Sequence, residues 1–461
     1  MAPDVMVEPS GSPLPHASAG FAALSSQSTV LRTIGRWGLT AIVLNQIIGS
    51  GIFALPGTVA ARLGWLVPLA HAIAAILALL IMLAFAEVAS RFSQAGGPYL
   101  YAHAAFGRFV GLQMGWMAMF VRLLSAAVQV NLLTTYIAEL WPPAGRPVGS
   151  AAIAAVFLGG LTVVNLLGVT RGTRVSSAFA ALKIAALVAF GAAGLFWIAA
   201  GHALPAHAPT ATTTGGWLGV VLLLMFAYGG FESALIPMGE SRDPQRDAPW
   251  ALLAAFAAVV VVYALVQVVV LATLPDPGAT DRPLAAAGGV ILGRAGSVAM
   301  AFVAITSVYG WGSAIMVAAP RLSYAMAERG DLPAVFAWVH PRYRTPWVSI
   351  LAYAVLVFLL SQQGGLLRNI SLATVSRLLT YGLVCGALPV LRRREKEATS
   401  DIAPAAFVTP FGDAVAAVGV VASLTLVFRM TSTEAAWLGG VSALALVHWV
   451  RIRVSAVPAA H

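Results

Sequence analysis

The stretch "LNQIIGSGIFALPG", Leu44 to Gly57, decides the fold. It lies in an apolar segment long enough to cross a membrane, yet it carries three glycines and a proline, and two of the glycines flank a serine at Gly49-Ser50-Gly51. Glycine in a helix interior costs about 1 kcal/mol relative to alanine. Unwound backbone is viable at membrane depth only where protein buries it or where it lines a cavity. A helix weakened at its midpoint therefore needs a functional or packing reason.

The surrounding composition is that of a polytopic membrane protein. The chain has 461 residues, 59% hydrophobic and 10% charged, with a mean hydropathy of +0.87. A soluble domain carries about 25% charged residues. Apolar runs near membrane-crossing length recur throughout and predict twelve spans. These fall at about 38–60, 66–90, 109–138, 150–170, 175–199, 216–239, 248–273, 297–319, 346–362, 371–391, 411–429 and 434–450. Residues 1–32 are rich in Pro, Ser, Gly and Ala with no cleavable signal pattern, and read as a disordered cytoplasmic tail. The only cysteine, Cys385, lies in an apolar run; it permits no intrachain disulfide and is expected to pack.

The net charge of +10 follows topology. With both termini inside, eighteen Lys and Arg residues fall on the cytoplasmic side, among them Arg36, Arg91, Arg108, Arg321 and Arg392 to Arg394, against six outside, and Arg122, Lys183 and Arg377 fall within spans. That asymmetry fits the positive-inside rule and points to a cell (inner) membrane protein rather than a nucleic-acid binder. The longest loops are Arg321 to Pro346, expected to carry a short interfacial helix, and Gly201 to Gly216, expected to be solvated.

A second weakened span follows. "WLGVVLLLMFAYGGFESALIPMGE" has Gly229-Gly230 at its middle, then Glu232, and Pro237 nearer its end. The two interrupted spans are numbers 1 and 6, so they run in opposite directions. That is the signature of a five-plus-five inverted repeat with a binding site where two broken helices meet at the midplane. The expected core is 33–391, with repeats of about 33–200 and 215–391, followed by 392–461 as a cytoplasmic loop and two extra helices. The alternative is that the glycines only permit close helix packing.

Broken helices suggest their own ligand. The outer half of helix 1 would start just after the break, presenting N–H groups near Ser50, Gly51 and Ile52 and a positive dipole end to an anion. Its inner half would end near Asn45 to Ile48 in free carbonyls suited to a cation, and helix 6 would add those near Phe226 to Gly229. Donors and acceptors so close together match the α-carboxylate and α-ammonium of a zwitterion.

At this point "IIGSGIFALPG", "FAYGGFESALIPMGESRDPQRDAP", "SQAGGPYLY" and "RLSYAMAERGDLP" together resemble the amino acid–polyamine–organocation (APC) superfamily, specifically bacterial amino acid permeases. The likeness runs from Arg32 to the last span. It implies an all-α integral membrane fold with broken helices 1 and 6. It also implies a substrate carboxylate at the backbone of Ser50 and Gly51, beside Gly49 and Ile52, and an amino group at carbonyls of Ile47, Phe226 and Gly229. Phe226 aligns with an occluding aromatic that is commonly tryptophan in similar exchangers. Trp311, in "SVYGWGSA", stands where some members carry a pocket tryptophan.

The charges within spans are weighed separately, because a central charge costs at least about 2.5–3.5 kcal/mol on insertion scales. Arg122 and Glu232 are placed to pair across the bundle, or Arg122 contacts carbonyls. Arg377, near the outer end of helix 10, is expected to snorkel. Glu87 and Glu240 read as cytoplasmic gate or capping residues, and His71 as a packed histidine. Lys183 is sharper, because the chain has only two lysines, Lys183 and Lys396. It lies too deep to snorkel easily, and a buried lysine can release a proton where an arginine cannot. By resemblance, a helix 5 lysine takes the place of a sodium ion between helices 1 and 8, which argues for proton coupling through Lys183, with Glu232 as the next candidate.

Other classes fare worse. No clustered His, Asp or Cys stands at metal or nucleophile spacing, so neither an enzyme nor a cofactor is expected. No P-loop pattern is present, and a channel would need a repeated filter or charged ring. The reading is a sodium-independent amino acid symporter. The alternatives are an exchanger, a polyamine or organic-cation permease, and a non-transporting amino acid sensor. A cationic substrate would need acidic pocket groups, of which Glu232 is the only one, so neutral amino acids are favoured over cationic ones. The expected partners are a small-molecule amino acid, a proton and membrane lipid.

Overall fold

The computed structural model describes residues 34–455 apart from 94–95, 168–171, 203, 211–212, 236–240 and 398–401. The N-terminal tail, Pro237 and Glu240 lie outside the described residues. The helices are α1 (Arg36–Ile47), α2 (Gly51–Leu63), α3 (Val67–Ala89), α4 (Pro98–Phe106), α5 (Arg108–Leu140), α6 (Pro147–Leu166), α7 (Gly172–Ala199), α8 (Thr214–Ala227), α9 (Phe231–Ala234), α10 (Pro244–Thr273), α11 (Pro283–Glu328), α12 (Trp347–Gln363), α13 (Leu366–Glu395), α14 (Gly412–Val427) and α15 (Ser432–Ser455). No strand occurs among the described residues; one isolated bridge pairs Ile34 with Ser241.

The protein is a multi-pass membrane protein. Among the described residues nine helical stretches are long and apolar enough to cross a membrane, and α12 and α14 are apolar but shorter. Val148, Val156 and Phe196 are 83%, 76% and 78% exposed on α6 and α7. In water such faces would be an aggregation liability; in lipid they are the ordinary outer surface. Helix α5 is the opposite case, its most apolar window 89% buried, and it forms the central post against α4, α11, α12, α13 and α15.

Helix α11 departs from the expected span 297–319. It runs from Pro283 to Glu328 with one non-helical residue, Gly293, at φ +62°. Its last turns absorb the first part of the expected interfacial helix, because "RLSYAMAE" simply continues the helix. The stop is chemical. Gly330 takes φ +71°, Gly330 N–H donates to Ala327 O at 3.0 Å and Asp331 N–H to Met326 O at 2.7 Å, the paired bonds of a Schellman cap. Only one 3-10 turn, Ala334–Ala337, follows.

The Gly201 to Gly216 loop is also more structured than expected. His207 Nε2 meets Leu271 O at 2.8 Å, and Thr210 N–H donates to Arg62 O at 2.8 Å, pinning the loop across the ends of α2 and α10. At the arginine-rich end of the bundle, Glu87 of α3 is fully buried. It accepts from Arg392 Nε and Nη2, both at 2.7 Å, from Arg91 Nη2 at 3.1 Å and from Thr409 N–H at 2.8 Å. Arg91 also pairs with Glu395. One carboxylate therefore ties α3 to α13 and to the segment before α14.

Candidate functional site

The two glycine-bearing stretches are both breaks, and they touch. Helix α1 ends at Ile47, and Gly49 N–H turns back to Ile47 O at 2.7 Å. Helix α2 starts at Gly51, and its ladder opens with Phe53 and Ala54 donating to Ser50 O at 3.2 and 2.9 Å. The N–H groups of Ser50, Gly51 and Ile52 thus precede the ladder, as the first donors of any helix do. In the second break α8 ends at Ala227, Gly229 N–H donates to Phe226 O at 3.1 Å, and Gly230 takes φ +106° before the four-residue α9. That backbone conformation suits glycine and strains other residues. A Cβ on Gly51 would stand 2.7 Å from the Cα of Ala227, and a Cβ on Gly230 would strike Gln46 O. Close approach of two backbones requires glycine at both points.

Side chains from four helices meet the carbonyls that the breaks leave open. Lys183 of α7, 1% exposed, places Nζ 2.6 Å from Asn45 Oδ1, 3.0 Å from Ile48 O and 3.4 Å from Asn45 O. Trp311 Nε1 donates to Gln46 O at 3.3 Å. Tyr263 of α10 holds its hydroxyl 3.0 Å from Ile47 O and 3.2 Å from Ala227 O, one proton shared between the two breaks. Arg377 of α13 reaches Phe226 O at 3.5 Å and lies 5.4 Å from the Phe226 ring centroid. A cation at a helix C-terminus is favourable, because the open carbonyls carry the negative end of the dipole. Lys183 does this for α1 and Arg377 for α8.

The sequence-derived residues therefore gather around one junction. Ile47, Gly49, Ser50, Gly51 and Ile52 supply the first break, and Phe226 and Gly229 the second. Trp311 lies 3.7 Å from where a Gly49 Cβ would stand. The junction is closed, with Ser50, Phe226 and Trp311 only 1%, 6% and 5% exposed. Among the described residues the Ser50 hydroxyl has no hydrogen-bond partner.

The expected pairing of Glu232 with Arg122 is not formed. Glu232 Oε1 lies 2.9 Å from Arg377 Nε, while its Oε2 accepts from Gly230 N–H at 2.9 Å and from the Tyr381 hydroxyl at 2.8 Å. The charges of Arg377 and Glu232 are in contact at that distance, although Nε and Oε1 are not aligned as a hydrogen bond. Arg377 does not snorkel; it is 5% exposed. Its helix begins at Leu366, five residues before the sequence-derived start, so Arg377 lies eleven residues, about three turns, into the helix. Arg122 donates to Ala118 O of its own helix at 2.7 Å.

Tyr263 escaped the sequence reading. In "VVVVYALVQVVV" it looks like core, and the only signal was that a hydroxyl in a wholly apolar run must find a partner. His71 escaped in part. It packs as expected, but its Nδ1 lies 3.1 Å from the hydroxyl of Tyr228, a residue of the second break, and its Nε2 3.4 Å from Gln267 Oε1. A cavity of about 410 Å³ lies away from the breaks, between α5, α13, α14 and α15. It is lined mainly by apolar side chains such as Met114, Met117 and Leu424 and lacks convergent charges, so the junction remains the better candidate.

A family profile described as amino acid permease matches residues 34–440. Curated relatives include a branched-chain amino acid permease of Bacillus subtilis (strain 168), 25% identical over 82% of this chain and 84% of its own. A methylthioribose transporter of the same organism is 26% identical over 94% of each chain. Cationic amino acid transporter 4 of Mus musculus is 26% identical over 80% of this chain and 61% of its own. Relatives at this distance carry chemically different cargo, so the choice of substrate has to be argued from the residues of the site.

Proposed function

The chain belongs to the amino acid permease family of the APC superfamily, and from that premise we propose that it is a sodium-independent, proton-coupled amino acid carrier working by alternating access. The observation that carries this reading is the junction of the two breaks, with Gly51 against Ala227 and Gly230 against Gln46. On this reading the twelve helical segments form a five-plus-five inverted repeat with two extra helices, both termini cytoplasmic. The N–H groups of Ser50, Gly51 and Ile52, beside Gly49, receive the substrate carboxylate. The amino group is received on the carbonyl side, at Ile47, Phe226 and Gly229, where Tyr263 and Arg377 now stand, with Phe226 and Trp311 closing over it.

Lys183 occupies the cation position at the end of α1. Its bonds to Asn45 and Ile48 brace the break when it is charged, and losing a proton would weaken them to those of a neutral amine. That supports proton coupling without sodium. Among the described residues Glu232 is the only buried carboxylate at the junction, and it is engaged by Arg377, Tyr381 and Gly230. It is not free to recognise a second ammonium, which weighs against polyamines and cationic amino acids.

The test is thermal stabilisation of the purified chain against twenty amino acids, several polyamines and methylthioribose, since a ligand stabilises the state it binds by mass action. Uptake of the best ligand into proteoliposomes then separates a carrier from a sensor. Stabilisation by a polyamine or by methylthioribose, and by no amino acid, would overturn the assignment.

A further inference from the structure

The charges around the second break do not balance. Arg122, Arg377 and Glu232 are 3%, 5% and 4% exposed. Arg377 is bridged into the cluster from several sides. Its Nη2 donates to Ser125 Oγ at 3.0 Å, its Nη1 reaches Phe226 O, and its Nε faces Glu232 Oε1 at 2.9 Å. Ser125 lies one helical turn beyond Arg122 on α5, and both Glu232 and Arg377 are close enough to act electrostatically on Arg122. Two guanidiniums thus stand in a cluster with one carboxylate, which pairs with Arg377.

Arg122 is the group left over. Among the described residues no carboxylate lies within ion-pair distance of it. Nη1 bonds only a carbonyl of its own helix, Ala118 O, and Nε is buried with no acceptor. Glu232 cannot serve both guanidiniums, because its Oε2 already accepts two hydrogen bonds and its Oε1 faces Arg377. A buried charge without a counter-ion is strongly unfavourable. An arginine cannot escape that cost by losing its proton, as a lysine can. The cluster therefore stores a demand for one further anion, and it borders the candidate substrate site. Arg377 stacks near Phe226 and packs so closely on Gly229 that a Cβ there would stand 2.8 Å from its Cδ.

We infer that Arg122 and Arg377 form a subsite for a second carboxylate, so that the carried amino acid is one with an anionic side chain. The inference rests on the carrier reading above and names its substrate class. The α-carboxylate and α-amino groups meet the backbone of the two breaks, which every amino acid shares. The side-chain carboxylate completes the pairing of Arg122, for which a planar, bidentate fork is the fitting donor. Glu232 sets the limit on this subsite: it neutralises one guanidinium and leaves capacity for one carboxylate.

The experiment compares glutamate and aspartate with glutamine, asparagine and leucine as ligands of the full chain. Thermal stabilisation is measured at fixed ionic strength, with chloride and with methanesulfonate as the salt anion. The expected result is binding of at least one acid about tenfold or more tighter than its amide, in either salt. Arg122→Gln loses that preference while amide affinity stays within about threefold, and Arg122→Lys keeps part of it. Should Arg122→Gln fail to fold, the acid-to-amide ratio of the unaltered protein still decides. Equal affinity for acid and amide, or a preference that survives Arg122→Gln, overturns the subsite. So does stabilisation by chloride that matches glutamate and abolishes the preference, which would mark an inorganic anion site. Binding of leucine or glutamine without the acids overturns the subsite and leaves the carrier reading standing; binding of no amino acid overturns both.

Discussion

Adding one methyl group at Gly51 tests the junction directly. The Cβ of Gly51→Ala would stand 2.7 Å from Ala227 Cα, 2.9 Å from Ala227 Cβ and 3.4 Å from Ala227 N. Carbon atoms in contact settle at about 3.5–4.0 Å, so the two breaks must part by about 1 Å. The obstructing atoms are mainly backbone, held by Tyr263 across the same gap, and cannot swing aside as a flexible side chain would. Overpacking of this kind costs about 1–3 kcal/mol, or about 5- to 150-fold in the population of the closed junction. The same displacement moves the N–H groups of Ser50, Gly51 and Ile52 away from the carbonyl side, and a binding constellation tolerates only about 0.5 Å. We expect a raised KM and a lowered melting temperature for Gly51→Ala, and no uptake for Gly51→Leu although it still inserts. Gly159→Ala is the control, since a Cβ there meets no atom within 4 Å. The assays are initial-rate uptake into proteoliposomes and thermal unfolding of the same preparation. Wild-type KM and melting temperature in Gly51→Ala would refute the argument that backbone contact between the breaks builds the site.

Lys183→Ala is expected to abolish acid-driven accumulation while substrate exchange persists, with no rescue by arginine and no effect of replacing sodium by potassium in the unaltered protein; undiminished accumulation in Lys183→Ala makes the lysine structural. Glu87→Ala leaves Arg91 with Glu395 and Arg392 with Asp413 but removes the buried carboxylate between them, and is expected to destabilise the arginine-rich end by on the order of 2 kcal/mol, read as a lower melting temperature and faster proteolysis of the segment before α14, with wild-type values counting against the tie. His103, on the short helix α4 outside the spans, is held below its usual 6.5 chiefly by burial, against the pull of Asp331. The folded chain then takes up that proton less readily than the unfolded one, so His103 contributes stability that is lost as pH falls below 6.5. His103→Gln should flatten that loss, and coincident melting profiles for the two proteins below pH 6.5 would show that His103 contributes none of it.

Much of this architecture was legible because lipid restricts the choices. Backbone in hydrocarbon must satisfy itself, so hydropathy alone located the helical segments, and glycine pairs located both breaks to within a residue or two. Lys183 was legible for a compositional reason: in a chain that otherwise uses arginine, a lysine at membrane depth stands out. What failed was partner choice. Glu232 could be assigned to the centre, but whether Arg122 or Arg377 would reach it depended on where helix α13 begins and how it rotates, and one-dimensional patterning carries neither. Tyr263 was hidden for the converse reason. Its ring satisfies the apolar pattern completely, and only the three-dimensional meeting of Ile47 O and Ala227 O shows what the hydroxyl is for.

The two breaks are chemically related and chemically unequal, and the inequality bears on mechanism. On the proposed five-plus-five reading, α7 is the fifth helix and α13 the tenth, so they are counterparts. Lys183 and Arg377 each lie eleven residues after the first residue of their helix. Each directs its cation at the carbonyl end of the broken helix in its own half, Lys183 at α1 and Arg377 at α8. On that reading duplication accounts for the shared position and for nothing else. Among the described residues the lysine has no carboxylate within ion-pair distance and depends on neutral oxygens, so a lost proton leaves no stranded negative charge. The arginine holds its charge permanently and has Glu232 as counter-ion. Of the two cations, only the lysine can change charge during a cycle, and the arginine keeps a constant one. On the proposed reading that division puts coupling at the first break and recognition of the side-chain carboxylate at the second. It also predicts the phenotype that separates them: Lys183→Ala should change what drives accumulation with the ranking of substrates intact, whereas Arg377→Gln should change that ranking. A single variant that altered both together would place the two functions on one break and undo the division.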